Sequence, residues 1–430
     1  MKIMKHNKQP INEIIENLEN GDSTIYVSGT GTGKSFVCMY IIKYFKLKTL
    51  YVYPKHAIGK NIKKYEEFKE VEDYVSFCTF NTFCDEVVTN ETLSKYDLVV
   101  IDECHHLLSE VYGRNICKFM DKDTDTKFLG MTATPSMGLC SCIDKFDKCV
   151  EGLSVMDAIE IGLMPTINYN IAIEGFSRDL LKSYLFADYD FNIDIKNSMH
   201  ILKRYVDETN INKWICFFNS SAQIDSVYED IEELFKGYKI VTVLSKLNNL
   251  DESMEEVECN EKVVILTCTM FTEGMHLSDI GGIFIFRNIT SPSLFMQVVG
   301  RVCHIGKHKS PVIVDCSRSV YTLLYTFARR SYESLKDNNT NSKLRPLVSI
   351  TINKLYYLPQ YELYKVYEKA IHPIVFRGEK YCNILDLYNT YGLNKDEVLG
   401  FQKTYKVSRI EAINSILNRK SYEDLCTIRV

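Results

Sequence analysis

The sequence predicts an α/β protein, with parallel sheet in its N-terminal part and a mainly helical C-terminal region. Three observations carry this. From residue 9 to residue 135, short β-type runs alternate with helical segments, the pattern of βαβ units. Runs such as Leu98-Val99-Val100-Ile101 are apolar without alternation, as strands covered on both faces require. At 430 residues the chain has room for two or three domains, each with its own core.

From the N-terminus, residues 9 to 20 read as an amphipathic helix that stops at Gly21. Thr24-Ile25-Tyr26-Val27 is a strand, and the apolar run Phe36 to Phe45 is a helix. Between them lies Ser28-Gly29-Thr30-Gly31-Thr32-Gly33-Lys34-Ser35, the strand, glycine-rich turn and helix start that a phosphate-binding loop needs. The glycines let backbone N–H groups close around phosphate oxygens, and the helix N-terminus adds partial positive charge. Gly29, Thr30, Gly31, Thr32 and Gly33 are the candidate cradle, Lys34 the group that reaches the β- and γ-phosphates, and Ser35 the Mg²⁺ ligand. Ser28 departs from the strict pattern, which has glycine there.

Thr49 to Pro54 is a second strand, residues 61 to 69 a charged helix, and Val75 to Thr79 a third strand. The run Leu98 to Ile101 then delivers Asp102 and Glu103 at its C-terminal end, where open α/β sheets bind ligands. Asp102 suits Mg²⁺ held through its waters, and Glu103 suits orienting or activating a water. Phe128 to Pro135 is a short strand ending in Thr132-Ala133-Thr134.

Composition narrows the class. Hydrophobic residues make up 46% and charged residues 25%, ordinary for a globular protein. No run of about 18 apolar residues occurs, so no membrane-spanning helix is expected. The basic N-terminus lacks the apolar core of a signal peptide, and 15 scattered cysteines show neither C-x-x-C nor zinc spacing. A cytoplasmic protein without membrane partners is expected. The net charge of −5 excludes an overall basic field, although residues 343–430 carry +5 (14 Lys/Arg against 9 Asp/Glu).

In this order, Ser-Gly-Thr-Gly-Thr-Gly-Lys-Ser, Asp-Glu-Cys-His and Thr-Ala-Thr resemble motifs I, II and III of the superfamily 2 helicases. The resemblance implies two tandem RecA-like parallel-sheet domains that bind ATP and Mg²⁺ between them. It adds His105 to the catalytic set. It also makes Pro54 and Lys55 (motif Ia) and Thr79 (motif Ib) contacts to a nucleic-acid backbone, and places Gln9 where many relatives recognise adenine. A second domain must then come after, and its motifs can be found. Lys213 to Ser220 resembles motif IV and puts Asn219 on the nucleic acid; Val263 to Thr269 is a strand whose Thr269 does the same. Phe271 to Leu277 resembles motif V, with Gly274 at the nucleotide and His276 where many relatives have Asp. Gln297-Val298-Val299-Gly300-Arg301-Val302-Cys303-His304 resembles motif VI: Gln297 and Arg301 match, and His304 replaces the final arginine. Arg301 would stabilise γ-phosphate charge from the second domain, either as the single finger or with Lys307 or another cation assisting.

The implied domains are residues 1–150, 151–318 and 319–430. In the last, Tyr321, Leu324, Tyr325 and Ala328 recur at helical spacing, a core pattern. Helical runs Ile384 to Tyr391 and Lys395 to Tyr405 flank Gly392-Leu393-Asn394, and Ser408 with Glu411 forms a capping-box start for a third helix. This is compatible with a helix-turn-helix, and also with a structural cap. The expected activity is an ATP-driven helicase or translocase, acting as a monomer, on DNA ahead of RNA. The alternatives are a nucleic-acid-stimulated remodelling ATPase and an ATP-gated sensor.

Overall fold

A computed structural model describes residues 3–54, 56–122, 125–137, 140–172, 195–244, 250–268, 280–289, 292–303, 311–317, 319, 348–352, 356–357, 374–377, 379–381, 384–405 and 409–427. The chain forms two compact units, Met1–Thr322 with Asn341–Leu358, and Leu323–Thr340 with Pro359–Val430. The first unit contains both large sheets.

The first sheet is built from β1 (Thr24–Val27), β2 (Thr49–Tyr53), β3 (Val75–Thr79), β4 (Leu98–Asp102), β5 (Lys127–Thr132) and, beyond a two-residue hairpin (β6 Ser136–Met137, β7 Cys140–Ser141), β8 (Lys148–Glu151). Its order is β3-β2-β4-β5-β1-β8, parallel throughout. One strand feeds two cores. Leu98 and Val100 of β4 pack with Ile11, Ile14 and Leu18 of α1 (Lys8–Glu19) and Ile41 of α2 (Lys34–Phe45). Val99 and Ile101 pack on the other face with Leu93, Ile116 and Phe119. Each such fully buried aliphatic side chain contributes about 1.5–3 kcal/mol, which explains the run without alternation. Helices α3 (His56–Lys63), α4 (Glu86–Leu93) and α5 (Gly113–Met120) complete the layers.

The chain crosses to the second sheet through α6 (Val155–Glu160), whose start is fixed by a capping box between Ser154 and Asp157. The second sheet comprises β9 (Ile167–Ile171), β10 (Lys213–Phe217), β11 (Lys239–Val243), β12 (Val263–Thr267), β13 (Gly282–Ile285), β14 (Val312–Asp315), β15 (Val348–Ile352) and β16 (Tyr356–Tyr357). Its order is β11-β12-β10-β13-β14-β9-β15-β16, with only the last pair antiparallel. The helices of this half are α7 (Ile195–Asp207), α8 (Ser221–Leu234), α9 (Leu250–Cys259) and α10 (Pro292–Val299). The two RecA-like sheets are therefore present. The region after residue 319 is not wholly helical, however: Val348-Ser349-Ile350-Thr351-Ile352 runs beside β9 in register with Ile167 to Ile171. Its β-branched residues suit a strand.

Trp214, the only tryptophan, is fully buried in β10 against Phe284, at 4.9 Å between ring centroids. Gly282, its register partner on β13, leaves the indole its space, since a Cβ there would lie 2.3 Å from the ring. Gly282→Ala is expected to destabilise this half by about 1–3 kcal/mol through overpacking. Urea unfolding followed by Trp214 fluorescence measures it, and an unshifted midpoint would contradict the packing.

In the second unit, the hairpin β17 (Ile374–Phe376) and β18 (Glu379–Tyr381) precedes α11 (Ile384–Tyr391), α12 (Lys395–Tyr405) and α13 (Arg409–Thr427). Phe376, Leu387, Val398, Ala412 and Ile413 form its core. Gly392, at φ 59°, ends α11 in the left-handed region, and the Asn394 carboxamide oxygen accepts from the Asp396 backbone N–H at 2.8 Å. Ser408 lies outside the described residues.

Candidate nucleotide site

The C-terminal ends of β1, β5 and β4 lie side by side, so the loops that leave these strands converge on one edge. After β1 comes the loop 28–35. Gly31 and Gly33 have φ of 77° and 98°, conformations that side-chain-bearing residues avoid. Lys34 opens α2 and donates from Nζ to the carbonyls of Ser28 (3.0 Å) and Gly29 (3.2 Å), which holds the ammonium over the loop. Burial lowers its proton affinity; the charges of Glu103 and Asp102 oppose this, and that of Arg301 adds to it.

Ser28, the departure from the motif, has a structural use. Its Oγ donates to Leu153 O at 3.0 Å and meets Thr32 Oγ1 at 2.7 Å. The Gly29 N–H donates to the same Leu153 carbonyl at 2.9 Å, and a Cβ on Gly29 would lie 2.7 Å from Val155 N. The loop thus rests on the segment that leads to the second sheet.

After β4, Asp102 Oδ2 accepts from the Tyr51 hydroxyl at 2.9 Å and Oδ1 from the Glu103 N–H at 3.0 Å. Burial first, then the Glu103 charge, push the Asp102 carboxyl up to about 6. Glu103 sits at φ 51°, a left-handed conformation that costs a non-glycine residue about 1–3 kcal/mol and turns the chain sharply. Glu103 Oε2 lies 3.5 Å from His105 Nδ1, which is 3.2 Å from Thr132 Oγ1. Thr132 in turn accepts the Ser28 N–H on its backbone oxygen at 3.0 Å, so β5 ties the acidic turn to the phosphate loop. Cys104, between the two, is buried with its Sγ 3.9 Å from Cys142 Sγ. Burial drives the Cys104 thiol well up, whereas the hydrogen bond from Cys104 draws Cys142 down.

The second sheet reaches the same loop. A Cβ on Gly300, just after α10, would lie 2.5 Å from Thr30 Cγ2, and the neighbouring Arg301 is felt electrostatically by Lys34. Gln297 is half-buried on α10. An exposed ion pair, Lys64 Nζ to Glu258 Oε1 at 2.7 Å, also bridges the two halves and is worth at most about 1 kcal/mol.

Other expected residues lie apart from this cluster. Pro54 and Thr79 stand together at the ends of β2 and β3, and Asn219 is exposed just beyond β10. Lys55, Thr269, Gly274, His276, His304 and Lys307 lie outside the described residues. Gln9 is exposed on α1; Asn7 instead reaches the loop, donating from Nδ2 to Thr32 O at 3.3 Å and accepting from the Tyr26 hydroxyl at 3.2 Å. Asn7 and Leu153 lie outside every motif, and Tyr51 lies within the motif Ia stretch (Leu50 to Lys55) without being one of its candidate contacts. Beside the loop, Ile3, Met4, Ile11, Phe36 and Val37 enclose a cavity of about 210 Å³, to which Asn7 and Glu67 add polar atoms. No helix among the described residues is long and apolar enough to cross a membrane.

Residues 1–91 and 72–137 match the family of the type III restriction enzyme res subunit, and residues 197–306 that of the helicase conserved C-terminal domain. Over 233 residues the chain is 26% identical to a Saccharomyces cerevisiae protein named as an ATP-dependent helicase, IRC3, covering 49% of this chain and 33% of that one. It is 23% identical over 356 residues to the type I restriction enzyme EcoAI endonuclease subunit of Escherichia coli, covering 70% and 44%. The chain thus spans less than half the length of these two relatives. Among solved structures, the DEAD-box helicase Mss116 bound to ssRNA and UDP-BeF superposes with a TM-score of 0.55 at 15% identity, over 96% of this chain and 85% of that one. The type ISP restriction-modification enzyme LlaBIII bound to DNA gives 0.58 at 12%, over 86% and 32%.

Proposed function

We propose that this chain, which belongs to the superfamily 2 helicases, couples ATP hydrolysis to movement along a nucleic-acid strand, with DNA as its track. One observation carries the reading: Lys34, Asp102 and Glu103 from the first sheet and Arg301 from the second gather at one phosphate loop. The loop N–H groups and Lys34 hold the triphosphate. The Ser35 hydroxyl and the Asp102 carboxylate are hard oxygen donors that fit Mg²⁺ retaining most of its waters, and the cation would neutralise phosphate charge. Glu103, anchored by its turn and beside His105, accepts the proton of the attacking water. Arg301 and Gln297 complete the site only when the two halves are closed. Hydrolysis and opening then shift the grip on a strand lying over Pro54, Lys55, Thr79, Asn219 and Thr269.

The restriction-enzyme family match and the DNA-bound neighbour support DNA. The RNA-bound helicase neighbour supports RNA. Steady-state ATP hydrolysis with no polymer, single- or double-stranded DNA, or RNA decides, with Lys34→Ala as the blank. Stimulation by DNA is expected; stimulation by RNA alone overturns the track, and no stimulation by any polymer overturns the motor.

The Asp102 shift sets a pH dependence. A carboxyl titrating near 6 is protonated below that pH, so a proton competes with Mg²⁺. Calorimetric titration with Mg²⁺·ADP is expected to show affinity holding above about pH 7 and falling by up to about tenfold per unit below 6. Equal affinity at pH 5 and 8 would remove Asp102 from the metal site.

A further inference from the structure

The cavity beside the phosphate loop lies where α1 meets the first turn of α2, with Phe36 and Val37 just beyond Ser35. Its volume of about 210 Å³ accommodates a bicyclic base, and its walls are mostly apolar. Phe36 is braced by Tyr65, at 5.1 Å between ring centroids. Only two lining residues offer polar side-chain atoms. Asn7 has its oxygen and one N–H committed to Tyr26 and Thr32. Glu67, half-buried on a 3₁₀ turn (Glu66–Glu70), forms no ion pair among the described residues.

We propose that Glu67 reads the base of the bound nucleotide and selects purines that carry an amino group. The inference rests on reading the loop 28–35 as the nucleotide site and names what that site accepts. A carboxylate accepts hydrogen bonds and donates none. Adenine offers it the exocyclic N6 amino group; guanine offers adjacent N1–H and N2 amino donors, a match for both carboxylate oxygens. An unsubstituted purine has no donor on that edge, and uracil is too small to reach it while filling the apolar walls. The site therefore takes ATP and GTP alike and discriminates against purine riboside triphosphate and UTP.

The test displaces mant-ADP from the full chain with ATP, GTP, purine riboside 5′-triphosphate and UTP. In the wild-type chain ATP and GTP are expected to compete roughly tenfold or more better than purine riboside triphosphate, the scale of one hydrogen bond to a charged group. Glu67→Ala is expected to bring that ratio near one while mant-ADP still binds. Glu67→Gln, whose amide oxygen still accepts from the adenine N6 amino group, is expected to keep ATP ahead of purine riboside triphosphate. If mant-ADP binds and the Glu67→Ala ratio matches wild type, this inference is overturned alone. If mant-ADP does not bind the wild-type chain, the nucleotide-site reading falls and takes the inference with it.

Discussion

Arg301→Ala is expected to lower polymer-stimulated ATP hydrolysis by about 10³–10⁵ while mant-ADP affinity changes little. An arginine aimed at a transferring phosphoryl group supplies an effect of this size because the charge it stabilises develops only in the transition state. Two features place Arg301 for this role. It comes directly after Gly300, whose missing side chain lets the end of α10 come against Thr30. Its charge is also felt by Lys34, across from it in the same cleft. Arg301→Lys keeps the charge but loses the planar fork, so partial recovery is expected. Single-turnover hydrolysis beside a nucleotide-binding measurement separates the cases. A loss below tenfold in Arg301→Ala would show that another cation does the work.

Glu103→Gln is expected to reduce hydrolysis by about 10²–10⁴, with nucleotide binding and unfolding midpoint retained. Glutamine fills the same volume and makes the same turn, so it removes the proton acceptor and leaves the scaffold. Glu103 is held by its own backbone: a left-handed residue directly after β4 aims the side chain across the strand end toward His105. Hydrolysis at the wild-type rate in this variant would sink the assignment of the base.

The parts of the fold and site visible in the sequence share a physical basis. Asp102 and Glu103 sit at the end of a short apolar strand, and Lys34 opens the helix that follows another through a glycine-rich turn, so local spacing and turn chemistry determine both structure and position. The strands Val75–Thr79 and Leu98–Asp102 and the helices Ile384–Tyr391 and Lys395–Tyr405 were readable for the same reason. The features that could not be read depend on distant pairing. Val348–Ile352 becomes a strand beside Ile167–Ile171, about 180 residues earlier, and nothing in the local spacing announces that partner. Tyr51 meets Asp102, and Asn7 meets Thr32, only because the sheet order sets β2 beside β4 and α1 over the loop. Gln9 is exposed on α1, whereas Asn7, two residues earlier, contacts the loop at Thr32 O.

The Leu153 carbonyl has a mechanical meaning. It accepts hydrogen bonds from both Ser28 Oγ and Gly29 N–H, and Gly29 sits too close to Val155 N for a side chain to fit between. Loop and crossing segment are therefore pinned together at one oxygen atom. A displacement of the phosphate loop by a fraction of an ångström must stretch one of two hydrogen bonds or drag the start of α6 along. The serine that breaks the glycine pattern thus ties the loop directly to the segment that leads into α6 and the second sheet.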